Sequence, residues 1–263
     1  MRGQVEAFVE ATQSEGRYAF TVDELRASVS ISPRGELAAL SRLERAGRIV
    51  RPMPKSGFVV IVPAEYRTTV APPMAWWLDA FMIHLGRPDY YVGLLTAAEW
   101  HGSAHDAIQE AQTIVPTQLR SMRIGRERLR FITKSAAAAT PVMRMSSDGG
   151  SVLVSTPEAT VVDLVRYATL LGGPSRIATV LSELQLSASA LHDALKIASD
   201  ITAAQRLGYL LEVAGQNGAA RTVARYIAAH EHRTRPLDPG APTRGGEVVK
   251  PWNLIVNAPV ELG

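Results

Sequence analysis

The segment SPRGELAALSRLERAGRIVRPMPKSGFVV, residues 32–60, decides how the N-terminal part of this chain folds. Ser32 is a favourable N-cap, Pro33 suits the first position of a helix, and Gly47 is a typical helix terminator. These signals predict a helix over residues 33–46. The runs RIVRPM and GFVVIVP that follow are apolar and extended in character, and PKS joins them. This pattern predicts a β-hairpin after the helix.

Two further helices are expected before this segment. Apolar residues recur at helical spacing in residues 4–13, which predicts the first of them. Thr21 is followed three residues later by Glu24, a capping-box pattern that predicts a second helix beginning near Val22. Three short helices and a hairpin in about 60 residues are typical of a winged helix-turn-helix. Such domains bind DNA, and they also serve as protein–protein modules, so both alternatives stay open here.

The third helix has two different faces when its residues are placed about 100° apart. Leu37, Leu40 and Leu43 gather on one side, which is expected to face the core. The opposite side is basic and carries small residues such as Ala38, as a helix in a major groove requires. The residues expected to contact DNA lie on this side and on the hairpin: Ser32, Arg34, Ser41, Arg42, Arg45, Arg48, Arg51 and Lys55. The alternative is a charged face that is only solvated.

A second basic patch occurs further along the chain, although the net charge is only +3. Its members are Arg120, Arg123, Arg126, Arg128 and Arg130. The alternation in RERLRF predicts that Arg126, Arg128 and Arg130 share one face of a strand. Such a stripe of positive charge is a candidate for a second nucleic-acid contact.

The length of 263 residues and the ordinary globular composition favour two domains. We expect a winged helix-turn-helix over residues 1–68 and a larger domain over 69–263. Within the larger domain, extended runs predict a sheet over 88–155, helices over 156–232 and a terminal strand over 248–257. The expected fold class is therefore mixed α+β, with an N-terminal winged helix-turn-helix, a central sheet and a helical C-terminal half.

The sequence favours a protein that is not an enzyme and needs no cofactor. No phosphate-binding loop, dinucleotide fingerprint, HExxH or GxSxG motif is present. His101 and His105 stand four residues apart, but no third ligand is evident, and His105–Asp106 could equally cap the next helix; we therefore predict no metal site. The chain has no cysteine, no secretion signal and no run of 18 apolar residues, which predicts a cytoplasmic protein without a membrane span.

Several segments in this order resemble the AbiEi antitoxins of abortive-infection (type IV) toxin–antitoxin systems. After the predicted winged helix-turn-helix come YYVGLLTAAEWHG, STPEATVVDLVRYATLLGG, QRLGYLLE, PLDP and WNLIVN. The resemblance implies a phage-defence protein whose N-terminal domain binds inverted repeats in its own promoter and represses it. It also implies that the C-terminal domain counters a nucleotidyltransferase-like toxin without forming a stable complex. A monomer or a weak dimer would suit such DNA.

Four residues of these segments are candidates for a role in the larger domain. A structural role is preferred for Tyr209, while Arg166, Arg206 and Glu212 are left open. A different function also remains: a one-component transcriptional regulator that responds to a ligand and has no toxin partner. That alternative requires a sizeable pocket among the helices after Thr156.

Overall fold

The computed structural model describes residues 3–70, 72–103 and 110–263. Its α-helices are α1 Gln4–Ser14, α2 Val22–Ser28, α3 Pro33–Arg45, α4 Leu78–His84, α5 Leu94–Trp100, α6 Pro157–Arg166, α7 Pro174–Glu183, α8 Ala188–Ala198, α9 Ile201–Val213 and α10 Asn217–Ala228. Its strands are β1 Ala19–Thr21, β2 Ile49–Val50, β3 Phe58–Ile61, β4 Tyr91–Val92, β5 Glu110–Val115, β6 Met122–Ile124, β7 Glu127–Thr133, β8 Val142–Ser147, β9 Gly150–Ser155, β10 Arg235–Pro236, β11 Glu247–Val249 and β12 Leu254–Val256. The mixed α and β content agrees with the expected class.

The described residues divide into two compact units. The first holds residues up to 91, 110–137 and 144–153, and the second holds 92–103, 138–143 and 154–263. The first unit therefore includes residues on both sides of the domain boundary expected near residue 68. The boundary itself stays a prediction.

Residues 3–68, called here the N-terminal module, contain α1 to α3 and a small antiparallel sheet of order β1-β3-β2. The helices begin and end close to where the capping signals predict. The strand β1 was not predicted, because it has only three residues and the last of them, Thr21, is also the N-cap of α2. The module has its own apolar core: Val5, Val9, Phe20, Leu25, Ala39, Leu40, Leu43, Ile49, Val59 and Ile61.

The larger sheet has the order β6-β7-β5-β4-β9-β8. Strands β5 and β7 pair in parallel and β6 and β7 pair antiparallel. The extended runs over 88–155 thus form one mixed sheet, as expected for this stretch. Most of it belongs to the first unit, although β4 and β9 end in the second unit and β8 begins there.

Aromatic and polar contacts join the N-terminal module to the sheet inside the first unit. The Trp76 ring lies 4.2 Å from that of Tyr18 and 5.4 Å from that of Tyr66, measured between centroids. A side chain at Gly149 would overlap the same indole, so glycine is required there. The Asp79 carboxylate accepts hydrogen bonds from the Tyr90 hydroxyl at 2.7 Å and Arg144 Nη1 at 3.1 Å. Burial, together with this carboxylate, raises the pKa of the Tyr90 hydroxyl above its usual value.

The second unit is mainly helical. Helix α6 is buried along almost its whole length, and α8 to α10 and α7 surround the same core. The helices expected over 156–232 are therefore present. A small sheet of order β10-β12-β11 completes the unit.

The terminal strand expected over 248–257 is instead two strands. β11 and β12 pair antiparallel, and residues 250–253 form the turn between them. Asn253 adopts a left-handed backbone conformation with φ of 50°, which a continuous strand does not allow. Trp252, in this turn, is 1% exposed and packs against Gly208 of α9.

Candidate nucleic-acid interface

Helix α3 is held firmly at both ends. The Ser32 hydroxyl accepts a hydrogen bond from the Gly35 backbone N–H at 3.2 Å, as an N-cap should. Gly47 follows the helix with φ of 64°, a conformation that favours glycine. The cap uses one lone pair of the Ser32 oxygen, so the hydroxyl proton and the second lone pair can still bind another molecule.

The inner face of α3 differs from the one predicted. Leu40 and Leu43 are buried, but Leu37 is 59% exposed, so its predicted place in the core is wrong. Glu36 is buried instead, because Arg26 of α2 binds its carboxylate twice, at 2.8 and 3.0 Å. A bidentate arginine makes burial of this carboxylate tolerable. The buried face of α3 therefore includes Glu36 and Ala39 and leaves out Leu37.

The outer face of α3 carries arginines that are free to bind another molecule. Arg34, Arg42 and Arg45 are exposed, and none makes an ion pair with the described part of the chain. Arg45 Nε donates to the Ser41 carbonyl of its own helix, at 3.3 Å. Ala38 and the half-buried Ser41 lie among them. The basic face predicted from the sequence is therefore exposed to solvent in the structure.

The basic residues of the hairpin differ in availability. Arg48 pairs with Glu10 at 3.1 Å, and Arg51 pairs with Glu44 at 2.5 Å. Both guanidinium groups therefore brace the N-terminal module internally. Lys55, by contrast, is exposed in a short 3-10 turn at the hairpin tip, Pro54–Ser56.

Helix α4 supports the tip of this hairpin. His84 Nε2 donates a hydrogen bond to the Ser56 carbonyl at 2.7 Å, and the Phe58 ring lies 5.2 Å from that of Phe81. Sequence reasoning missed His84, since nothing near it in the chain indicates a partner 28 residues earlier. These contacts hold the turn that carries Lys55.

The second basic patch lies on β6 and β7, at one edge of the larger sheet. Arg123 is directly opposite Arg128, and Arg130 follows on the same face. Glu110 contacts Arg128 at 3.3 Å and Arg130 at 3.9 Å, which moderates the repulsion between the arginines. The face is exposed at Arg123 and Arg128.

The position predicted for Arg126 is wrong. Arg126 lies in the turn between β6 and β7 rather than on the strand face, and its backbone N–H donates to the Thr69 carbonyl at 3.1 Å. Gly125 before it has φ of 57°, so the alternation of the strand starts only at Glu127. Arg120 is exposed in the loop before β6.

The residues considered for chemistry have structural partners. His101 Nε2 donates to the Ser155 carbonyl at 2.7 Å, so this nitrogen is not available to a metal. His105 and Asp106 lie outside the described residues. Elsewhere in the described ranges, histidines and acidic residues form no cluster that could hold a metal ion. No helix in those ranges is both long enough and apolar enough to span a bilayer.

The family-like residues of the second unit also have internal partners. Arg166 binds Asp200 at 3.0 Å, which is the N-cap of α9. Arg206 Nε donates to the Pro236 carbonyl at 3.1 Å, and Glu212 accepts from the Trp252 indole at 2.7 Å. Burial lowers the pKa of Arg206 and raises that of Tyr209. The contacts of Arg206 and Glu212 fasten the C-terminal segment to α9, and that of Arg166 joins α6 to the start of α9.

A cavity of about 480 Å³ lies in the second unit. It is bordered by α5, α7 and the last three residues of the chain, with Arg176 and Ser103 among its polar groups. Its volume falls in the range of small-molecule sites.

Comparison with known proteins agrees with the resemblance seen in the sequence. Residues 91–213 match the family model described as the AbiEi antitoxin C-terminal domain, a regulatory class of protein. The crystal structure of the RV2827C protein from Mycobacterium tuberculosis is similar in fold, with a TM-score of 0.62 and 16% identity over 94% of this chain and 89% of that chain. At this identity the likeness concerns the fold alone. No functionally curated protein matches the chain. Residues 91–213, somewhat less than half of the chain, are thus similar to the C-terminal domain of the AbiEi antitoxins.

Proposed function

We propose that this protein is the antitoxin and autorepressor of a type IV toxin–antitoxin operon that acts in phage defence. The N-terminal module would be a winged helix-turn-helix that binds inverted repeats in the operon's own promoter. The observation that carries this proposal is the outer face of α3, where Arg34, Arg42 and Arg45 are exposed and unpaired within the described residues. Arginine in this position can bind guanine edges and phosphates.

The C-terminal domain would counter a nucleotidyltransferase-like toxin, without a stable complex and without catalysis of its own. This part of the proposal rests on the family match. The protein would work in the cytoplasm as a monomer or a weak dimer. The exposed arginines of the second basic patch would add contacts to the phosphate backbone, which position a protein on DNA without reading sequence.

The decisive experiment is a fluorescence-anisotropy titration of the purified protein on its own upstream DNA and on scrambled DNA of equal length, at two salt concentrations. We expect the upstream DNA to bind at least about 1,000-fold more tightly near physiological salt, as specific regulators do. Equal, salt-sensitive binding to both would mean that the basic face is only electrostatic. No binding to either would make the N-terminal module a protein-contact module.

Lys55 is expected to contribute a phosphate contact from the hairpin tip. Replacing it with alanine should weaken binding to all DNA sequences alike and reduce the slope of log K against log salt by about one. Titrations at four salt concentrations measure this slope. Lys196→Ala, on α8 of the second unit, is the charge-matched control and should leave the slope unchanged. A sequence-dependent loss in the Lys55 variant would contradict the phosphate assignment.

A ligand-responsive regulator is the second candidate, and the cavity in the second unit is the observation that favours it. On this alternative a small molecule would alter DNA affinity, and no toxin gene would lie next to this one. A neighbouring nucleotidyltransferase gene would argue against it.

A further inference from the structure

Leu37 is a large apolar side chain on the outer face of α3, and the apolar core does not use it. It is 59% exposed, whereas Leu40, one turn later, is 2% exposed. The helix that carries it is fixed by the Ser32 cap and by the Arg26–Glu36 pair. The exposure of Leu37 is therefore a property of a well-held helix.

The surroundings of Leu37 limit what could cover it. Arg34 and Ser41 lie three and four residues away, so they are its neighbours on the helix surface, and Ala38 follows it in sequence. Lys55 borders the same recess as Leu37, and the two carboxylates there, Asp23 and Glu36, are both paired with Arg26. With Arg34 beside it, the net setting of Leu37 is positive, which favours a polyanion over an apolar protein surface. Leu37 also lies in the N-terminal half of α3, and this is the part of a recognition helix that contacts base edges.

Among the base edges in a major groove, only thymine presents an apolar group, its C5-methyl. A leucine cannot donate or accept a hydrogen bond, so it has nothing to offer a phosphate. We propose that Leu37 is a specificity-determining residue that packs against the C5-methyl group of an operator thymine. This inference rests on the proposed binding of DNA by α3. Ala38, being small, would let the helix approach closely enough for this contact.

The test replaces operator thymines one at a time with deoxyuridine, which removes only the methyl group. At one position of each half-site, wild-type affinity should fall about four-fold, the value expected when one buried methyl group is lost. The Leu37→Ala variant should bind the thymine operator more weakly than wild type and show no further loss at that position. Leu170→Ala, which truncates another exposed leucine, is the matched control and should behave as wild type.

Two results would overturn the inference while leaving DNA binding intact: no thymine position that responds to deoxyuridine, or a Leu37→Ala variant as sensitive at that position as wild type. Equal binding of wild type to operator and scrambled DNA would overturn both this inference and the proposed repressor function. Circular dichroism of the variant checks the fold, which an exposed substitution should not disturb.

Discussion

A Gly208→Ala substitution should destabilise the protein by about 2–3 kcal/mol, the upper part of the range for forced overpacking of a core. Gly208 lies in α9 against the six-membered ring of Trp252, and a Cβ at this position would overlap the ring carbons Cζ3, Cε3 and Cη2. The indole cannot move aside easily, because it is buried and its N–H donates to Glu212 at 2.7 Å. The Trp252 carbonyl also accepts a hydrogen bond from Gln205 Nε2 at 2.8 Å.

Helix propensity acts in the opposite direction but is too small to compensate. Alanine is favoured over glycine in a helix interior by about 1 kcal/mol. Gly218→Ala in α10 isolates this term, since nothing lies within 4 Å of a Cβ at that position. This control should be neutral or stabilised by up to about 1 kcal/mol. Urea unfolding followed by circular dichroism gives both values, and a Gly208→Ala variant as stable as wild type would refute the packing of Trp252.

Local signals in the sequence predicted much of the fold, because caps and periodicity act over a few residues. The Thr21 and Ser32 hydroxyls accept the expected backbone N–H groups, and α2 and α3 begin where these caps place them. Contacts between distant segments left no comparable signal. Gly208 and Trp252 are 44 residues apart, and neither segment carries a sequence pattern that predicts their contact.

The errors within the candidate site have the same origin. The wheel of α3 assigned Leu37 to the core from its apolar character, but the salt bridge between Arg26 and Glu36 changes which face is buried. Arg126 was placed on a strand because strict alternation was assumed, while the turn at Gly125 interrupts it. The internal pairing of Arg48 and Arg51 depends on acidic partners on α1 and α3. Charge alone therefore indicated where the candidate surface lies, and the structure indicates which of its arginines are free.

The triple variant Arg34→Ala, Arg42→Ala, Arg45→Ala should lose at least about 100-fold in operator affinity. A bidentate contact between arginine and a base is worth about 1–3 kcal/mol, so three such contacts produce this loss even at the lower limit. Because the three side chains make no ion pair with the described residues, their removal leaves no charge unpaired in the module. Anisotropy titrations at fixed salt measure the effect, and unfolding curves should coincide with wild type.

A control variant removes an equal number of positive charges from the second unit. Three exposed arginines are each replaced by alanine there: Arg221, Arg225 and Arg244. Its affinity should fall much less, by no more than long-range electrostatics allows at physiological salt. If the α3 variant retained full operator affinity, the assignment of this face to DNA would be wrong. If both variants lost affinity equally, binding would follow net charge and not the α3 surface.

The α3 triple variant also separates the two proposed activities in the intact chain. With toxin and antitoxin expressed from foreign promoters, it should still rescue cells from the neighbouring toxin, although it no longer represses its own operon. This follows because the substituted side chains lie on the N-terminal module, while the family match covers residues 91–213. Loss of rescue together with repression would mean that neutralisation requires DNA binding. The full chain is the right material, since Trp76 and Phe81 pack against the module and a truncation would expose them.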